Sequence, residues 1–502
     1  MRQGKNWWRV IGAVVVGSVV LAGPVSAQED LDEAAVEKVV SGYADKAGYP
    51  GIAVAITKGD RVLHTGGYGR DSAGDPVTET TPMPIASVSK SFTALAVMQL
   101  VETDKVKLDS PVRDYLPDFR ISDPRGARIT VRELLNQTSG ITDRTLPEKS
   151  LPQPDSLAGT VSRARAATLA VEPGTQHFYT NTNYHLAARL VEVVSGEPFA
   201  DYLQRHVFEP AGMQATTTIG QTPRDLPSGL RKGHVYAYGA SIAATEPKRF
   251  VGGSDGVLTT ASDLAQWLIV QNGSGVAANG TRLLSDAGVK AMHTSSDRRW
   301  TYGMGWDTDQ KGRVHHSGIW FTYSAQALLL PDGHGIAVVG NSGVGLANEG
   351  IGQLAEELAV LVEGGEPSSG APVRLIVDLV LGALTLLSVF LGIRNLRRSR
   401  AWAARFRDAP AWRLAPRLLP RLVPLALLVS LPNLIGLLFG GGRDVTFVQL
   451  CYYSIALIAW TSVAAVLNVG VLATRVTLLV RLRRSAADVP EPSVPAQEAL
   501  TG

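Results

Sequence analysis

Leu31 to Ala47 reads as a helix. Gly51-Ile-Ala-Val-Ala-Ile-Thr-Lys and Arg61-Val-Leu-His-Thr, on either side of Gly59-Asp60, predict a β-hairpin. A buried helix follows from Val88 to Val101, opened by Ser87. Another starts at Thr130 to Leu135, and a third spans Leu186 to Ser195, stopped by Gly196. Ser262 caps a further helix through Val270. Arg313 to His316, Tyr323 to Leu330 and Gly335 to Asn341 predict strands, with Pro331-Asp332-Gly333 as the turn between the last two. Gln353 to Val362 closes this region as a helix. Strands at both ends with helices between them predict one α+β domain whose ends meet in a single sheet.

Beyond Val362 the pattern changes. Residues 363–374 are rich in Gly, Ser and Pro and read as a linker. Three apolar runs follow, at 375–393, 422–439 and 447–473, each long enough for a helix to cross ~30 Å of hydrocarbon. The link 394–421 carries Arg394, Arg397, Arg398, Arg400, Arg405, Arg407, Arg413 and Arg417, and Arg481, Arg483 and Arg484 follow the third run. The link between the second and third runs is short and holds only Arg443 and Asp444 as charges. Arginine-rich loops stay cytoplasmic, so 394–421 and the tail 474–502 are expected inside, and the α+β domain outside, the cell membrane. Asp378, near the outer end of the first run, is expected at the interface. The N-terminus agrees with this orientation: Arg2, Lys5 and Arg9, an apolar Val10–Leu21 and Val25-Ser26-Ala27 read as a signal peptide over 1–27, or else as an uncleaved anchor.

The net charge of +3 conceals a division. Residues 28–365 carry 30 Lys+Arg against 38 Asp+Glu, whereas residues 366–502 carry 15 against 7. An acidic outer part argues against nucleic acid, which needs a basic footprint. Cys451 is the one cysteine. The outer domain therefore lacks a disulfide and must be held by core burial, and it has neither a thiol nucleophile nor thiolate metal ligands. No clustered His, Cys or carboxylate ligand set stands out, so no cofactor or metal is expected.

Three short motifs carry the candidate chemistry: Ser87-Val88-Ser89-Lys90, Tyr179-Thr180-Asn181 and His316-Ser317-Gly318. On a helix, residues three apart share a face, which places the Lys90 amine beside the Ser87 hydroxyl. A serine needs such a neighbour to become nucleophilic. A phenol near that amine, Tyr179, can pass protons to and from the reacting groups, and Asn181 can hold a substrate amide. His316-Ser317-Gly318 reads as a strand edge lining a carbonyl slot, where the N–H of Ile319 joins that of Ser87 as an oxyanion hole. His64-Thr65-Gly66 is a decoy, since it precedes Ser87. The order of motifs suggests acyl transfer to Ser87 followed by hydrolysis.

With these motifs, and with Ile129 to Ile141, Gly256 to Trp267, Tyr302-Gly-Met-Gly-Trp and Leu330-Pro-Asp-Gly, the chain resembles the class C β-lactamase-like serine hydrolases over about residues 30 to 362. That family also holds D-Ala-D-Ala carboxypeptidases, D-aminopeptidases and esterases. The resemblance implies an antiparallel sheet flanked by helices, with a helical subdomain, over 28–362. It implies Ser87 as acylated nucleophile, Lys90 and Tyr179 as proton-transfer groups, and Asn181, His316, Ser317 and Gly318 as substrate contacts. His316 stands where the β-lactamases carry lysine, as in the peptidase and esterase members. The expected substrate is a cell-wall D-alanyl peptide or another small ester or amide, and the expected second partner is the lipid bilayer. Two other readings compete: a catalytically weak penicillin-binding or wall-sensing module, and an α/β-hydrolase using Ser254 in Gly252-Gly253-Ser254-Asp255-Gly256.

Overall fold

A computed structural model describes residues 31–346, 350–368, 370–438 and 442–487. The signal-peptide segment lies outside the described residues, as does the last part of the tail.

The predicted hairpin forms β1 (Gly51–Lys58) and β2 (Arg61–Gly69). The later strands are β3 (Asp307–Thr308), β4 (Val314–Ile319), β5 (Ser324–Leu329) and β6 (His334–Gly340). They pair in the order β3-β4-β5-β6-β1-β2, antiparallel throughout, so the two ends of the domain meet where β1 pairs with β6. Alternation along β1 sends Ile52, Val54 and Ile56 to one face and Ala53 and Ala55 to the other. The first set packs with Val36 and Val40 of α1 (Glu33–Ala47) and with Leu354 and Leu358 of a helix at Gly352–Val362. The alanines join the larger core that holds Phe92 of α2 (Ser89–Glu102) and Trp267 of α4 (Ala261–Asn272), whose rings stack at 3.8 Å. Between them in sequence lies α3 (Asn181–Ser195), which ends at Gly196 in the left-handed conformation.

Several boundaries differ from the sequence reading. Thr260, not Ser262, caps α4, because its hydroxyl accepts the Asp263 N–H. The helix expected from Leu186 starts five residues earlier, at Asn181. Ser87 does not cap α2; it sits in a 3-10 turn, Ala86–Val88, that runs into the helix.

Among the described residues, the C-terminal part contains three helices long and apolar enough to cross a membrane, Val373–Arg397, Ala411–Leu438 and Ile455–Ser485. With Gly352–Val362 as α5, they hold α6 (Val373–Arg397), α7 (Val423–Leu438, the last part of the second) and α9 (Ile455–Ala487). Leu386, Phe390, Val429 and Val466 stand 62–73% exposed on them, as lipid-facing positions would. The run 447–473 is not one helix: it breaks at Ser454, leaving a short α8 (Phe447–Tyr453) against the outer domain, and α9 carries on through most of 474–487. The Arg-rich link is largely helical, at Ser399–Arg405 and Ala411–Leu418, rather than an open loop.

The two ends of this bundle differ. One end grips the outer domain. Arg374 donates to Ala47 O and Ser342 Oγ, and the Asp378 carboxylate accepts the Tyr238 N–H at 2.7 Å. Asp378 is therefore buried against the domain instead of exposed at an interface; a carboxylate there answers a backbone donor at the tip of a two-stranded ribbon. The other end holds the arginines, with Arg483 donating to Arg407 O and Ala409 O.

Candidate active site

Ser87 is presented by a strained turn. Ala86 has φ +48°, a left-handed conformation that costs a residue with a Cβ roughly 1–3 kcal/mol and persists only where the surroundings impose it. β4 runs alongside. Gly318 is obligatory there, because a Cβ at 318 would stand 2.1 Å from Ile85 O. Trp320 N–H donates to Tyr323 O, towards β5. Alternation then turns the Ile319 N–H to the opposite edge of β4, beyond the point where pairing with β3 has ended at His315. Ser87, Ser317 and Ile319 line one cavity.

Lys90, one helical turn on, is fully buried. Its amine donates to Ser87 Oγ (2.9 Å), Asn181 Oδ1 (2.9 Å) and Ser254 O (3.1 Å), so three donors meet three acceptors. The Ser87 hydroxyl donates in turn to Asp255 Oδ1 at 2.6 Å. Asp255 also receives Asn181 Nδ2 and Arg249, and lies 3.4 Å from the Lys90 amine. Burial alone would raise the Asp255 pKa. The charges of Lys90 and Arg249 and the Ser87 hydrogen bond outweigh it and hold the carboxyl well below the usual carboxylate range. Tyr179 lines the same cavity, its ring centroid 4.9 Å from the Lys90 amine.

A family model described as Beta-lactamase matches residues 36–359. The chain belongs to the beta-lactamase family. It is 31% identical over 340 residues to penicillin-binding protein 4 of Amycolatopsis lactamdurans, covering 61% of this chain and 86% of that one. It is 26% identical to protein flp of Staphylococcus aureus strain MW2, covering 64% of this chain and 65% of that protein. Among solved structures, it is similar to the octameric penicillin-binding protein homologue from Pyrococcus abyssi, with TM-score 0.57, 25% identity, and 70% and 82% of the two chains covered. A penicillin-binding protein from Bacillus halodurans shares the fold at TM-score 0.53 and 22% identity, over 66% of this chain and 98% of that one.

Within this beta-lactamase-family fold, His316 is buried and its hydrogen bonds fix its tautomer. Ser317 O can only accept, so Nδ1 carries the proton (2.7 Å), and Nε2 accepts from the Tyr302 hydroxyl (3.0 Å). Burial and the nearby Lys90 charge push its pKa down to about 3, so the ring is neutral and does not replace a lysine's charge. Ser317 and Ile319 are exposed to the cavity, on the slot side.

Neither Ser254 nor His64 of the competing motifs lines the cavity. Ser254 is fully buried, with Oγ against Val251 O at 3.4 Å, and α4 begins seven residues later, so no strand–turn–helix elbow exists. His64 lies on β2, bonded to Tyr68. Among the described residues no three His, Cys, Asp or Glu side chains gather as metal ligands.

Sequence reading missed Asp255, Arg249 and Tyr302. It also missed Arg443. This residue, from the link between α7 and α9, lines the cavity, donates from Nε to the buried Asp143 (2.7 Å) and lies 4.9 Å from the Tyr179 ring centroid. The one signal for it was the pair Arg443-Asp444, two charges in an otherwise uncharged link.

Proposed function

We propose that this protein is a membrane-anchored serine hydrolase whose outer domain works through an acyl-enzyme on Ser87. The observation that carries this reading is the Ser87 hydroxyl at the floor of a cavity of about 750 Å³, bonded to Lys90 at 2.9 Å and one strained turn from the unpaired edge of β4. Ser87 Oγ attacks the substrate carbonyl carbon. Its proton passes to the Lys90–Tyr179 pair and from there to the departing nitrogen or oxygen. The N–H groups of Ser87 and Ile319 receive the carbonyl oxygen as it becomes negative. Asn181, Ser317, Gly318 and neutral His316 contact the substrate. Water then cleaves the acyl ester, releasing the acid and restoring Ser87. The acyl donor is a D-alanyl peptide of the cell wall or a small ester.

The placement outside the cytoplasmic membrane draws support from the bundle's two ends. The end at Arg374, Asp378 and Asp444 grips the domain, and the arginines gather at the other, which the positive-inside rule assigns to the cytoplasm.

A slow penicillin-binding or wall-sensing module is favoured by one observation: the Ser87 hydroxyl donates to Asp255, whose carboxylate is a poor base. Incubating the full chain with a labelled penicillin and following intact mass separates these readings. A Ser87-dependent adduct supports the acyl-enzyme; turnover of a D-alanyl peptide or an ester by the same chain then supports the hydrolase, and an adduct without turnover of either supports the slow module. An adduct retained in Ser87→Ala sinks both.

A further inference from the structure

The cavity above Ser87 has a second wall that the outer domain does not supply. It comes from Ile435 near the end of α7, from Arg443 and Val445 in the link, and from Leu450 and Leu457 of α8 and α9. The described part of the link, 442–446, is locked in place by Asp444. Asp444 accepts from the N–H groups of Lys149 and Ser150 and from the Ser150 hydroxyl, and the Lys149 amine donates to Asp444 O. Below it, Tyr452 donates to Thr245 O and packs edge-on against Phe321.

Two kinds of surface therefore meet in one cavity. Lys149, Arg249 and Arg443 bring cations to its rim. Ile435, Val445 and Leu457 bring an apolar strip close to the ends of the membrane-length helices. Arg249 pairs with Asp255 and Arg443 donates from Nε to Asp143, while burial and then Arg443 hold the Lys149 amine down to about 8. A guanidinium fork suits a carboxylate or phosphate. The volume, about 750 Å³, is that of a pocket for a whole small molecule.

We propose that this cavity takes an anionic amphiphile from the bilayer, with its carboxylate or phosphate against Arg443 and Lys149, its apolar part along Ile435, Val445 and Leu457, and its acyl carbonyl at Ser87. The substrate class is then a membrane-borne acyl ester or amide with an acidic group. This rests on Ser87 as nucleophile. It also gives the second and third spans a task, since one span would suffice as an anchor: they deliver the link that completes the site.

The test uses the full chain in nanodiscs of zwitterionic lipid, with octyl phosphate and inorganic phosphate as probes and empty nanodiscs as the blank. Octyl phosphate is expected to bind at least tenfold more tightly than inorganic phosphate. Arg443→Gln should weaken it at least tenfold. The double variant Asp143→Asn/Arg443→Gln, which leaves no unpaired buried carboxylate, should do the same. Equal binding of the two probes would overturn the amphiphile, because the apolar wall would then be idle. Unchanged octyl phosphate binding in both variants would overturn the role of Arg443. A labelled penicillin added to the same samples keeps the two readings apart. A Ser87 adduct without Arg443-dependent binding sinks this inference alone. Arg443-dependent binding without any Ser87 adduct upholds the cavity and sinks the nucleophile.

Discussion

On the outer-domain side of the cavity, Ser87, Lys90, Asn181, Arg249 and Asp255 fix one another through hydrogen bonds and ion pairs, four of the five being buried. On the helix-bundle side, the Arg443–Asp143 pair and the clasp on Asp444 hold a wall of Ile435, Val445, Leu450 and Leu457, with Gln449, Tyr453 and Ser454 among them. The first arrangement permits almost no movement at the reacting hydroxyl. The second fixes a surface rather than an atom. Under the function proposed above, bond-making belongs to the domain and choice of substrate to the bundle.

The largest effect expected is at the reacting atom. Ser87→Ala should remove the penicillin adduct and lower any hydrolytic turnover by at least about a thousandfold. Next comes the network beneath it. Asp255→Asn strands Lys90 and Arg249, and breaking a buried pair this way costs roughly 3–5 kcal/mol, so a large fall in Tm is expected. Asp444→Asn should lower Tm much less but expose the link near 442–446 to protease, since its clasp lies at the surface. Similar losses of stability for the two variants would erase the distinction between the walls.

The β1–β2 hairpin, the closing strands and their common sheet were legible because alternation and the turns at Gly59-Asp60 and Pro331-Asp332-Gly333 are local signals. Lys90 was legible beside Ser87 because three residues on a helix make one face. Asp255 was not. It comes from a turn 168 residues away, and its Gly-Gly-Ser-Asp-Gly setting drew attention to the neighbouring serine. Arg443 was hidden further still. A short polar link between two apolar runs reads as a plain turn, and only the packing of α8 and α9 on the domain brings it to Tyr179.

A further effect follows from pH. His316 and His185 are held down to about 3, and His293 to about 4, in each case mainly by burial. The unfolded chain binds protons on these rings below about 6.5 and the folded chain does not. Stability is therefore lost as pH falls from 6.5, by up to about 1.4 kcal/mol per unit and ring, and Tm should drop steadily between pH 6.5 and 5. On the other wall, Lys149 loses its proton above about pH 8, so octyl phosphate binding should weaken a few-fold between pH 7 and 9 with little change in Ser87 acylation.

The claim that the two walls form one site is tested most directly by attaching to Ser87 a penicillin with a photoreactive tail, irradiating the full chain in nanodiscs, and mapping the cross-link. The account predicts attachment at Ser87 and cross-links to the segment from Ile435 to Leu457. Cross-links confined to outer-domain residues, or attachment anywhere but Ser87, would contradict it.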